Sequence, residues 1–240
     1  MSELAILDLG RRPYLPVLAL QRSLVEQRRQ GSLRSDVLIL VEHDPVITLG
    51  RGTRESSLPS SADALRKAGA EVAEVERGGD VTWHGPGQLV GYPILDLAGH
   101  RQDLHWYLRQ LEEVLIRTLA SFDLAGTRLG GKTGVWTGNR KIASIGVHVR
   151  QWVTFHGFAL NVHPDLRAFD QIVACGIHGV DMTSVERELT LAGRQNTLGR
   201  ERLWQAVREE TVRAMASVFD RTAVVADPGL AEPVSQPVEP

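Results

Sequence analysis

The chain has 240 residues, 42% of them hydrophobic and 23% charged, with a formal net charge of −2. That length supports one large or two small hydrophobic cores; the near-neutral balance excludes a global basic field for nucleic acid. A lone cysteine, Cys175, excludes an intrachain disulfide.

Glu3 and Asp8 interrupt the N-terminal apolar stretch and no basic region precedes it, so it does not read as a secretory signal. No apolar run approaches the ~20 residues that cross a bilayer. A cytoplasmic, reducing location without membrane contact is expected.

Leu4–Gly10 alternates like a strand, and Tyr14–Gln30 carries leucines and valines at helical spacing up to Gly31. Val37–His43 is a continuous apolar run, the pattern of a strand buried on both faces. Asp44-Pro45 breaks it and Val46–Gly50 resumes it. Ser61–Ala68 reads as a short helix with Gly69 beyond its end. Strand-like segments follow at 71–76, 80–84 and 88–97. Leu104–Phe122 is the longest helical pattern, with apolar positions at Leu104, Leu108, Leu111, Leu115 and Leu119. Residues 134–162 read as consecutive strands and Arg202–Phe219 as an amphipathic helix. Strands in the middle with helices before and after favour an α/β protein of the α+β kind. A single domain over 1–225 is expected, in which 181–225 reads as a helical C-terminal part. The Pro-rich tail 226–240 has no apolar period and is expected to be disordered.

Cys175 lies in "IVACGIHGV" (172–180). It could fill core, bind metal or act as a nucleophile. No Cys-x-x-Cys accompanies it, and His156 and His163 are not at zinc-site spacing. Catalysis would require a neighbour that stabilises the thiolate.

Three further segments bear on chemistry. "RGGDVTWHGPGQLVGYP" (77–93) reads as two strands joined at Gly85-Pro86-Gly87, with Thr82 and His84 on one face and Val81 and Trp83 on the other. Its glycine turns leave backbone N–H groups able to receive a carbonyl, as in a ligand wall. In "TGNRKIASIGVHV" (137–149), alternation puts Lys141 in one row with Ala143, Ile145, Val147 and Val149, and Ile142, Ser144, Gly146 and His148 in the other. Such a lysine either snorkels from a strand end or is a desolvated amine that exchanges protons near neutrality. Only three lysines occur in the chain, Lys67, Lys132 and Lys141. In "WVTFHGFALNV" (152–162), His156 reads as structural, and Gly157-Phe158-Ala159 could line a narrow apolar slot.

Together with Ala174-Cys175-Gly176, these segments closely resemble the lipoate-protein ligase B family, the octanoyltransferases, from about Val41 to Cys175. The Arg-Gly-Gly…His-Gly-Pro-Gly-Gln element is the most specific part. The resemblance implies a fold shared with biotin and lipoate protein ligases, built on a central mixed β-sheet flanked by helices. It implies a lipoate-biosynthesis enzyme that moves an octanoyl group from acyl carrier protein to a specific lysine of lipoyl domains. Those domains belong to 2-oxoacid dehydrogenase complexes and the glycine cleavage H protein. The octanoyl group rides on the carrier's phosphopantetheine arm, with no ATP or metal. Carried over by position, Cys175 is the nucleophile that forms an acyl-thioester, and Lys141 is its acid/base partner. Arg77, Gly78, Gly79, Asp80, Val81, Thr82, Trp83 and His84 would line the acyl and carrier-arm site. So would Ser144, Ile145 and Gly146, and likewise Gly157, Phe158 and Ala159. Gly146, Gly157 and Ala159 are small enough to leave an acyl slot open. Three rivals stand beside this reading: an ATP-dependent ligase, a non-catalytic carrier-binding protein, and a Cys-His hydrolase using His84 or His156.

Overall fold

Strand β1 (Glu3–Arg12), helix α1 (Tyr14–Arg29) and strand β2 (Asp36–His43) open the chain. β1 and β2 pair in parallel, so α1 is the crossover between them. Pro13 precedes the helix with φ −57°, and Gly31 follows it with φ +76°, the left-handed stop that glycine adopts without strain. Every residue of β2 except Glu42 is buried, as its unbroken apolar run predicts. This is a computed structural model that describes residues 2–58, 61–67, 70–172, 180–194 and 199–231.

A small sheet comes next, built from β3 (Val46–Leu49), β4 (Glu71–Glu74) and β5 (Thr82–His84) in the order β4-β3-β5, with α2 (Ala62–Lys67) between β3 and β4. The chain then returns to the main sheet with β6 (Gln88–Ile94), crosses it with α3 (Leu104–Ala120), and continues through β7 (Thr127–Leu129), β8 (Lys132–Thr137), β9 (Arg140–Arg150) and β10 (Val153–Asn161). The last elements are β11 (Asp181–Met182), α4 (Val185–Leu191), α5 (Arg200–Val218) and β12 (Thr222–Val225). The main sheet runs β12-β1-β2-β6-β10-β9-β8-β7, with β11 alongside β9. Its β12-β1-β2 edge is parallel and the run from β2 to β7 antiparallel, which makes it the mixed sheet that the family resemblance implies.

Period-two alternation in β2 divides the core. Leu38 and Leu40 join Leu111, Leu115 and Leu119 of α3 and Met215 of α5 on one face. Val37, Ile39 and Val41 join Val17 and Leu24 of α1 on the other. Each such side chain contributes about 1.5–3 kcal/mol on full burial. Asp103 caps α3 by accepting the Trp106 N–H at 3.0 Å. Among the described residues, no helix is long and apolar enough to cross a membrane.

Residues 181–225 are more than helix. α5 lies across α3, and β12 extends the main sheet beside β1, pairing Glu3 with Thr222 through Ile6 with Val225. The expected disorder of the tail is corrected for residues 226–231. Ala226 is buried and donates its N–H to the Ile6 carbonyl at 3.0 Å, and Pro228–Ala231 forms a 3₁₀ turn. Tertiary contact with β1 orders a stretch whose composition carries no apolar period. Residues 232–240 lie outside the described residues.

Candidate active site

Strict alternation along β9 would put Lys141 in the row of Ala143, Ile145 and Val147. The structure corrects this. Val135 of β8 faces Ala143, but the next residue, Trp136, faces Lys141, so Ile142 is an extra residue on β9. Such a bulge sets two neighbouring side chains on one side and reverses the phase beyond them. Ile142, Ala143, Ile145 and Val147 all enter the α3–α5 core. Lys141 turns instead into a cavity bordered by Ser144 and Gly146. It is 2% exposed, and its Nζ lies 5.6 Å from the centroid of the Trp136 ring, a contact worth up to about 2 kcal/mol when desolvated. Gly134 makes room for it: a Cβ there would stand 2.9 Å from Lys141 Cε. Exposed Lys132 lies over the same indole at 5.3 Å, on the hairpin at the cavity mouth.

The loop from Arg77 to Val81 forms the second wall. The buried Arg77 guanidinium donates to Thr48 Oγ1 at 2.8 Å, to the Thr48 carbonyl at 2.7 Å and to the Asp80 carbonyl at 2.7 Å. It therefore stitches the loop to β3. Gly78 N–H donates to the Val147 carbonyl at 2.9 Å, docking the loop on β9 beyond the end of β8. Gly146 permits that approach, since a Cβ there would lie 2.8 Å from the Gly78 carbonyl oxygen. Asp80 accepts the Ser57 hydroxyl at 2.6 Å and the Val81 N–H at 2.7 Å. The Gly87 N–H is likewise engaged, donating to Glu42 at 2.7 Å.

The inner end is aromatic and polar. His84 stacks on Tyr14 at 6.0 Å and bonds Gln88 Oε1 through Nδ1 at 2.7 Å, while His43 Nε2 meets the Tyr92 hydroxyl at 2.8 Å. Burial pushes His84 down to about 3 and His43 to about 4, so both are neutral at pH 7 and His84 is a weak base there. His156 adopts φ +54° in the middle of β10 and donates its N–H to Gln21 Oε1 at 2.9 Å. Its ring is 1% exposed, and neither nitrogen has a hydrogen-bond partner. Glu76 Oε2, at 3.7 Å from Nε2, is too far to be one. Gly157, next to it, brings β10 against β6: a Cβ would stand 2.1 Å from the Gly91 carbonyl oxygen.

The cavity enclosed by these walls measures about 290 Å³, near the lower end of the ~300–1,000 Å³ of small-molecule sites. Sheet register puts His156 opposite Val147 and Ser144 opposite Ala159. Lys141 and His156 therefore mark opposite ends, roughly 15–20 Å apart along the strands.

Of the residues singled out in sequence, Arg77, Gly79, Asp80, Val81, Thr82 and His84 border the cavity from the loop and β5. Lys141, Ser144, Ile145 and Gly146 border it from β9, and Gly157, Phe158 and Ala159 from β10. Gly78 and Trp83 do not. Trp83 turns into the small-sheet core, edge-on to Phe169 at 5.4 Å, the opposite face from Thr82 and His84, as its alternation predicts. Sequence reasoning missed Tyr14, Val90, Tyr92 and the hairpin residues 131–133. Only tertiary pairing brings them in; a positive φ at His156 has no sequence signature. Cys175 lies outside the described residues. The residues on either side of its segment are described. Ile172 and Met182 are both buried in the Trp83 cluster, and Met182 pairs with Lys141.

A mixed sheet with a glycine-rich loop docked over a buried lysine defines a class: the chain belongs to the lipoyl protein ligase A/B catalytic domain family, whose model matches residues 13–211. Within that class its curated relatives are octanoyltransferases. The one from Nostoc sp. is 58% identical over 168 residues, 70% of this chain and 75% of the relative. That of Gloeobacter violaceus is 54% identical over 177 residues, covering 74% and 78%. That of Myxococcus xanthus is 43% identical over 234 residues, covering 95% and 63%. Solved structures bear out the fold. A lipoate-protein ligase A bound with ATP superposes with a TM-score of 0.67 at 16% identity, over 96% of this chain and 92% of that one. A bi-partite lipoate protein ligase from Thermoplasma acidophilum gives 0.65 at 18% identity, over 96% and 91%.

Proposed function

We propose that the protein is an octanoyltransferase of lipoate biosynthesis, carrying the acyl group from acyl carrier protein to a lysine of lipoyl domains through a thioester on Cys175. The observation that carries this reading is Lys141: an amine buried in the cavity wall, on a strand paired with β11, which begins six positions after Cys175 in sequence. An ammonium beside a thiol favours the thiolate by charge attraction. In the first half-reaction the Cys175 sulfur attacks the thioester carbonyl. The tetrahedral intermediate collapses, the phosphopantetheine sulfur leaves, and Lys141 protonates it. In the second, the neutral amine of the lipoyl-domain lysine attacks the acyl-enzyme, its proton passes to Lys141, and the Cys175 thiolate departs as the amide forms. Thioester exchange is nearly isoenergetic and amide formation runs downhill, so the sequence consumes no ATP. Val90 and Ala159, opposite each other on β6 and β10, offer the acyl chain an apolar passage, where each buried methylene contributes about 0.8 kcal/mol.

Intact mass spectrometry after mixing with octanoyl carrier protein tests it. One octanoyl adduct is expected, labile to hydroxylamine and absent in Cys175→Ala. Lys141→Ala should form it far more slowly with the fold intact. ATP-dependent acylation that survives Cys175→Ala would instead favour a ligase mechanism.

A further inference from the structure

Lys141 sits where the pairing of the sheet changes hands. The β10 ladder ends opposite Ala143, β11 takes over for only two residues, and β8 slips register at Ile142 on the other side. Ladder hydrogen bonds alone would leave the position of its amine loosely defined, whereas proton transfer demands placement to about 0.5 Å.

A closed polar circuit surrounds this point. Arg140, the residue before Lys141, donates twice to Glu188, both at 2.7 Å. Glu188 is 4% exposed and also accepts the Thr183 hydroxyl at 2.5 Å. The Thr183 N–H donates to the Lys141 carbonyl at 2.9 Å, and the Thr183 carbonyl accepts the Asn161 amide at 2.9 Å. Asn161 Oδ1 in turn accepts from Gln88 at 2.9 Å, and Gln88 bonds His84 in the cavity wall. Burial pushes the Glu188 carboxyl up, but the Arg140 and Thr183 hydrogen bonds more than offset that and hold it ionised at neutral pH.

We propose that Glu188 and Thr183 are positioning residues for acyl transfer: they clamp the backbone of Arg140 and Lys141 and so fix where the Lys141 side chain enters the cavity. The inference rests on the function proposed above. A buried ion pair is a poor stabiliser, since apolar residues of similar volume often stabilise a fold as well or better. What apolar packing cannot do is hold the guanidinium of one residue and the carbonyl of the next in a single geometry. The clamp also closes on Thr183, immediately after β11 and eight positions beyond Cys175, so one device fixes the Lys141 strand and the nearest described strand downstream of the cysteine.

The test follows single-turnover acylation by octanoyl carrier protein in the wild type, Glu188→Gln, Thr183→Val and Thr183→Ser. Glu188→Gln and Thr183→Val are expected to slow acylation at saturating donor about ten- to hundredfold, the penalty of misplacing a reacting group by about 1 Å. The donor concentration for half-maximal rate should stay within twofold, and every folded molecule should still acylate. Thr183→Ser keeps the hydroxyl and should stay within threefold of the wild type. Wild-type rates in Glu188→Gln and Thr183→Val would overturn the inference. So would a fall in the acylated fraction without a fall in rate, the mark of a purely stabilising pair. If Glu188→Gln does not fold, Thr183→Val, which preserves shape, decides alone. A wild type that never acquires the adduct refutes the proposed function; unchanged variants of an active wild type refute only the clamp.

Discussion

Gly157→Ala separates two explanations of one glycine. The sequence suggests that Gly157 keeps an acyl slot open; the structure gives it a different necessity. No left-handed φ requires glycine there, yet a Cβ would lie 2.1 Å from the Gly91 carbonyl oxygen and 2.7 Å from Pro93 Cδ. Both neighbours belong to β6, so relief requires the backbones of two central strands to part. Overpacking of this kind costs about 1–3 kcal/mol, and stretching the adjacent ladder hydrogen bond adds about 0.5–1.5 kcal/mol. For a chain this long, roughly 2–4 °C is lost per kcal/mol, so the melting temperature should fall by about 3–18 °C. Scanning calorimetry with urea titration reads it. The reasoning fails if Gly157→Ala melts within 2 °C of the wild type and instead transfers six-carbon chains normally while losing eight-carbon ones, because that pattern belongs to a blocked slot.

Arg77→Lys should cost about 2–3 kcal/mol in urea, because a lysine cannot reproduce the fork on Thr48 and Asp80 and leaves buried acceptors without a donor; an unchanged midpoint would show that the fork is dispensable. Gly134→Ala puts a Cβ 2.9 Å from Lys141 Cε at φ +123° and should slow acylation more than tenfold. Gly138→Ala, at φ +57° with nothing within 4 Å, is its control and should leave the rate alone. Acid should weaken the fold well above the carboxylate range. His43 and His84 are neutral when folded down to about 4 and about 3, whereas unfolded histidine binds its proton near pH 6.5, so stability is full above that and falls as pH drops below it. Two such groups remove up to about 2.7 kcal/mol per pH unit between roughly pH 6 and 4, and a urea midpoint that stays flat over that window would contradict their burial.

Most elements were legible in the sequence because each carries its own period. β2 shows an unbroken apolar run, α3 a leucine stripe, and the turns at Gly31 and Gly85–Gly87 their glycines. The direction of Lys141 was not legible. Alternation is a rule about one strand, and the Ile142 bulge is a decision taken between two. β8 has to slip for Trp136 to reach Lys141, and nothing within Thr137–Val149 records where its partner slips. The order of residues 226–231 was hidden for the same reason: the edge of β1 supplies the partner that the tail's own composition lacks.

The same distinction sorts the glycines. Read one at a time, Gly78, Gly146 and Gly157 suggest open space for a ligand. In the sheet, Gly146 lets the Gly78 carbonyl approach, and Gly157 lets β6 approach β10. These close approaches bring the Arg77 loop and the β6–β10 pair tightly enough together for a narrow cavity to form between them. A sequence search for a slot therefore finds the right residues for an indirect reason. Gly146 and Gly157 border the cavity because they let its walls meet, and the apolar passage itself is shaped by Val90 and Ala159. Chain-length preference should accordingly answer to substitutions at Val90 and Ala159, where a larger side chain shortens the passage without separating two strands. Val90→Phe is expected to keep six-carbon transfer and reduce eight-carbon transfer by about 10-fold or more, the scale of one or two methylenes in an apolar pocket. Equal loss of both chain lengths would mean that Val90 supports the sheet and does not measure the chain.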